Sequence, residues 1–203
     1  MSIDEMLARP GLAAEDRLLV AVAVAIWRAD WEQLQRCAHA ARPCGQERAE
    51  FEETLLQAVL FCGFPRVVTA FERLAEAWPA PQPPSGGGLP PAEQRAAGRA
   101  LFAGIYGRND AAVRTLLASC HGEFHDFVLE AAYGRILTRP RLAPLRRELL
   151  AVGLLAAQEQ QRQFLAHARG ALHFGATREQ LREVLVTTFG EGPRVDDWLQ
   201  RVR

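Results

Sequence analysis

Apolar and polar positions along the chain recur mainly at helical spacing. Ser2-x-x-Glu5 has the form of a capping box, in which side chain and backbone satisfy one another at a helix start. It predicts a short helix ending before Pro10. Residues 14–27 are almost continuously apolar, the pattern of a helix buried on all sides. Further helices are expected over about 30–41, 47–61 and 65–78, with Pro65 in a first turn, where its missing N–H costs nothing. The same periodicity continues over 92–106, 110–119, 124–137, 144–157, 160–174 and 177–189. Gly175 suits a glycine C-cap, and Thr177-x-x-Gln180 is a second capping box. No stretch alternates with period two between hairpin turns, so the expected class is all-α.

Residues 79–91 interrupt this pattern. Their run of Pro and Gly carries neither helix nor ladder, and it divides the chain into 1–78, a linker over 79–91, and 92–203. The two sides resemble each other. Leu18 to Ala25 sets against Leu149 to Ala156, Gln33 to Arg36 against Phe164 to His167, Glu53 to Leu56 against Glu183 to Val186, and Gly63 to Val67 against Gly192 to Val195. In this alignment Arg17 stands opposite Glu148 and Arg36 opposite His167, with His39 three residues out of register.

Composition narrows the function classes. Hydrophobic residues make up 49% of 203, enough for a packed core, and 24 basic side chains balance 24 acidic ones. A zero net charge gives no reason to expect nucleic acid or an anionic membrane as partner, and it permits self-association. No apolar run approaches a bilayer span, and the acidic N-terminus lacks a signal-peptide n-region. The expected location is cytoplasmic. Cys37, Cys44, Cys62 and Cys120 form no C-x-x-C pair. Cys37 and Cys44 would lie two turns apart on one helix, at about 1.5 Å per residue, so free thiols are expected.

Several separated landmarks follow one order in the second half: Phe124 to Val128, Tyr133 to Pro140, Arg147 to Leu150, His167 to Leu172 and Gly175 to Glu179. This order resembles the carboxymuconolactone decarboxylase and alkylhydroperoxidase D-like family, over most of residues 93–189 and more faintly in the first half. The resemblance implies an alkylhydroperoxidase D-like helical fold of two tandem repeats, the first degenerate. The alkylhydroperoxidase D-like frame is a Glu, eleven residues, C-x-x-C, three residues and a His. Here it reads Glu148, Gln160, Gln163 and His167. Amides cannot form a thiolate or a disulfide, so dithiol peroxidase chemistry is not expected.

His167 and Glu148 are the candidate catalytic residues. The imidazole would transfer a proton near neutral pH and the carboxylate would orient it; a histidine bonded to a helix end or exposed at the surface is the competing explanation. Gln160 and Gln163 are candidate pocket residues, against the view that 158–163 is a solvated helix start. Arg139 and Arg169 could grip a substrate carboxylate through paired bonds, although most arginines serve as surface charges or ion-pair partners. Tyr133 matches an aromatic position of the family, with core packing as the alternative. His121 and His125 could meet a metal if both were helical, but no recognisable ligand set completes them, and no metal site is expected. The four tryptophans suit core or subunit contacts.

Two function classes follow. One is an enzyme performing cofactor-independent acid–base chemistry on a small organic acid, of the lactone-decarboxylating kind that the family implies. The other is a non-catalytic helical binding or assembly protein. Relatives of this fold form trimers or hexamers, so a homo-oligomer is expected.

Overall fold

The computed structural model describes residues 2–80 and 87–202. Of the expected linker, residues 81–86 lie outside the described residues. Five helices precede it: α1 (Ile3–Ala8), α2 (Ala14–Arg28), α3 (Trp31–Ala41), α4 (Arg48–Cys62) and α5 (Phe64–Ala77). After it come α6 (Pro91–Tyr106), α7 (Asp110–Cys120), α8 (Gly122–Phe127), a π-helical segment (Val128–Leu137), α9 (Pro144–Ala157), α10 (Gln161–His173), α11 (Arg178–Phe189) and α12 (Pro193–Gln200). There is no strand among the described residues. Both capping boxes form, at Ser2 with Glu5 and at Thr177 with Gln180.

The core is built around α2 and α9. Residues 17–26 of α2 and 147–156 of α9 are all buried, and apart from Arg17, Arg147 and Glu148 they are apolar or glycine. The two helices pack against each other, Gly153 of α9 leaving room for Val20 of α2. Helices α3, α4 and α5 surround α2, while α10 and α11 pack on α9 and α12 closes on α11. One continuous apolar core runs from Met6 to Val202 through both halves. Fully burying a Leu, Val or Ile contributes about 1.5–3 kcal/mol, and the three charges these runs carry, Arg17, Arg147 and Glu148, each have a partner. Trp198 packs edge-on to Phe164 and Phe189, and Trp78 to Phe51, as core aromatics.

The halves are related in detail, one residue away from the expected alignment over α2 and α3 and in the expected register at Glu53 and Glu183. Ala29 and Glu159, the positive-φ non-glycine residues among those described, end α2 and α9 alike. Asp30 and Gln160 each donate a backbone N–H to the preceding helix, to Ala25 and Leu155. Gly45 and Gly175 take the left-handed turn after α3 and α10. Arg9, Arg17 and Glu53 recur at the same spacing as Arg139, Arg147 and Glu183. Leu18 therefore stands opposite Glu148, and Cys37 opposite His167, where the sequence alignment has Arg17 and Arg36. Short apolar runs align almost equally well when slipped by one position; caps and buried charges do not.

Those buried charges tie one half to the other. Arg9 and Arg17 bond Glu183 at 2.9 Å, and Arg139 and Arg147 bond Glu53 at 2.8–2.9 Å. Each glutamate thus accepts two guanidinium groups from the opposite half.

A second, smaller core joins α6 to the π-helical segment through Phe102, Ile105, Leu129, Tyr133 and Leu137. Here the backbones touch: a Cβ on Gly98 would meet Gly134 N at 2.6 Å. The sequence spacing predicts one α-helix over 124–137, whereas the chain enters α8 at Gly122 and widens into π geometry at Val128. Of this layer, α6 packs directly on α10.

Candidate active site on helix α10

Helix α10 follows the left-handed turn at Glu159 and opens at Gln160. It ends in a Schellman arrangement, with the Ala176 N–H donating to Ala171 and the Gly175 N–H to Leu172. Between these stops, Phe164, His167, Ala168 and Ala171 point inward. His167 is 7% exposed and Glu148, on α9, is 2% exposed. Imidazole Nδ1 and Glu148 Oε2 are 3.1 Å apart. Donation from Nδ1–H to the carboxylate fixes the ring and leaves Nε2 as the basic nitrogen. Space for this carboxylate exists because residue 170 is glycine; a Cβ there would lie 2.4 Å from Glu148 Oε2.

Aromatic rings enclose the pair. Phe61 and Tyr106 lie edge-on to the imidazole, with centroids at 6.5 and 6.3 Å. The Tyr133 hydroxyl donates to that of Tyr106 at 3.3 Å. Burial pushes the Tyr106 hydroxyl up, against the bond from Tyr133, and burial together with Tyr106 pushes Tyr133 well above the usual phenol. Both hydroxyls keep their protons at neutral pH.

A cavity of about 490 Å³ opens between α10 and the α6–α7 corner; His167 and Glu148 do not line it. Tyr106 links it to the pair, since it lines the cavity and packs on His167. Arg162, Gln163 and Arg169 of α10 form one wall, and Asn109 lies at the corner.

The candidate residues separate accordingly. His167 and Glu148 are brought together. Gln163 and Arg169 line the cavity, with His167 one position behind Ala166, which also lines it. Gln160 is exposed at the N-cap and does not reach the cavity. Tyr133 is buried in the smaller core and acts on the cavity only through Tyr106. Arg139 is bonded to Glu53, away from α10. His121 precedes α8 with extended backbone, so it shares no helix face with His125, which faces Asp126 at 2.9 Å. Sequence spacing does not mark Tyr106, Asn109 or Arg162. The signal for Arg162 is its place in the first turn of α10, where a cation opposes the helix dipole.

The counterpart in the first half has no such pair. Leu18 and Cys37 occupy the equivalent positions, and burial pushes the Cys37 thiol up to about 12. The carboxymuconolactone decarboxylase family model matches residues 2–76 and 122–189, segments that contain both repeats and the His167–Glu148 pair. The chain belongs to the carboxymuconolactone decarboxylase family. Helices α6 and α7, which build the outer wall of the cavity, fall between the matched segments. Peroxisomal protein 2 of Schizosaccharomyces pombe is 27% identical over 135 residues, or 65% of this chain and 63% of that protein. The chain therefore spans less than two thirds of that relative's length. No helix among the described residues is long and apolar enough to cross a membrane.

Proposed function

We propose that this family member performs cofactor-independent acid–base chemistry on a small organic acid, of the lactone-decarboxylating kind, at the His167–Glu148 pair. The observation that carries the reading is the buried Nδ1–Oε2 contact of 3.1 Å, with Tyr106 packed on the imidazole and lining the neighbouring cavity. In such a reaction the substrate carboxylate leaves as carbon dioxide and its bonding pair enters the conjugated lactone. The imidazolium of His167 gives a proton to the carbon, and solvent returns one to the ring. Glu148 holds the ring in place through Nδ1. Arg169 and Gln163 hold the substrate acid, and Tyr106 positions it against the pair. Dithiol peroxidase chemistry has no place here, with glutamine at positions 160 and 163.

In this reading the chain divides into a degenerate first repeat over 1–78, a linker over 79–91 and a second repeat over 92–203 that carries the active half. It works in the cytoplasm as a homo-oligomer. The apolar side chains left exposed on α5 and α8, Phe64 and Phe127 among them, support assembly. The competing class, a non-catalytic assembly protein, is favoured by the loss of the site from the first half.

The test is carbon dioxide release from a panel of unsaturated lactone carboxylic acids. Wild type is expected to turn over at least one. His167→Ala should lose at least about 100-fold and Glu148→Gln about 10-fold, the scale of general acid–base catalysis. No release from any acid of the panel would leave the assembly reading in place.

A further inference from the structure

We infer that the α6–α7–α10 cavity takes an organic anion with an apolar body, its carboxylate held by Arg162 and Arg169 and its hydrocarbon laid on α7. This rests on the reading of the cavity as the substrate site and specifies the substrate class.

Charge is the first argument. Arg162 and Arg169 both line the cavity, and among the described residues no carboxylate lines it with them. The acid nearest the rim in sequence, Asp110, is held by Arg114 at 2.8 Å. Arg162 also sits in the first turn of α10, which carries no acidic residue. Arg162 beside the positive end of α10 and Arg169 two turns along the same helix offer an anion two cations with no carboxylate between them.

The second argument is the facing wall. Ile105, Val113, Leu116 and Leu117 line it, and Leu116 is 40% exposed. Helix α7 buries none of its residues. A ligand as small as acetate would satisfy the arginines and leave this wall wet, whereas a neutral hydrocarbon would cover the wall and leave two cations unpaired. An amphipathic acid does both, and a volume of about 490 Å³ accommodates one.

The probe is octanoate, compared with acetate and 1-octanol by calorimetric titration of the full chain at low salt. Octanoate should bind saturably, once per chain, and at least about tenfold more tightly than either control. Replacing both arginines (Arg162→Gln with Arg169→Gln) should weaken octanoate at least about tenfold and leave octanol unchanged. Leu116→Asn should weaken octanoate and leave acetate unchanged. Both arginines and Leu116 are exposed, so unchanged far-ultraviolet circular dichroism is expected. Octanoate binding no tighter than acetate, or unaltered in the double arginine variant, overturns the inference. His167→Gln should bind octanoate like wild type. If no protein turns over any acid while octanoate follows this pattern, the acid–base reading fails and the ligand class stands.

Discussion

At the scale of single residues, the site depends on an absence of atoms as much as on their presence. Glu148 reaches His167 only because position 170 lacks a side chain. Gly170→Ala is therefore expected to displace the carboxylate from the imidazole. Overpacking of a close-packed interior costs about 1–3 kcal/mol, readable as a lower urea midpoint, and turnover should fall with it. A variant as stable and active as wild type would mean that the carboxylate has room to spare. The pair was legible in the sequence because Glu148 and His167 stand in a recognisable frame. Arg139 was not: an arginine's partner cannot be read from local spacing, and Glu53 lies 86 residues away. Tyr106 and Arg162 escaped for the same reason, since the wall they form exists only once α6 and α7 fold over α10.

At the scale of elements, helix starts and stops were written locally and could be read. The caps at Ser2, Thr177 and Gly175 all formed close to where the sequence places them. Helix α12 was not predicted, although Gly192 and Pro193 signal its start, because an eight-residue helix offers too little periodicity. The π turn of 128–137 leaves no pattern in the sequence. What joins elements across the halves is the pair of doubly bonded glutamates. Burial pushes the carboxyls of Glu53 and Glu183 up, but the arginines outweigh it and hold both below the usual value. A carboxylate with a lowered folded pKa stabilises the fold above its unfolded pKa and loses that contribution as pH falls through the folded one. Unfolding by acid should therefore set in below about pH 4.5, the ordinary glutamate value. Glu53→Gln leaves Arg139 and Arg147 facing an amide. Removing one partner of a buried ion pair costs about 3–5 kcal/mol, to be measured by denaturant unfolding at pH 7, and the variant should be less sensitive to acid than wild type. Equal acid sensitivity would show that these glutamates do not set it.

At the scale of the whole molecule, two repeats share one core, and only the second keeps an acid–base pair. The register of the repeat was out of reach of apolar matching because Leu, Val and Ala repeat so closely in α2 and α9. The recurring Arg-Pro at 9–10 and 139–140 is the feature that would have fixed it. Phe127 is 60% exposed and Phe64 73%, apolar surface that the proposed assembly would cover. Light scattering is expected to give about three or six times the chain mass of 22.5 kDa. Phe127→Glu should reduce that mass without loss of helix content, and a wild-type monomer would remove assembly from the account.

The measurement closest to the central claim is the pH–rate profile of carbon dioxide release for wild type, Glu148→Gln and His167→Ala on one responsive acid. The account predicts a pH-dependent rate in wild type, a rate about tenfold lower in Glu148→Gln, and loss of the pH-dependent part with the imidazole in His167→Ala. A profile that is the same in all three proteins would contradict it.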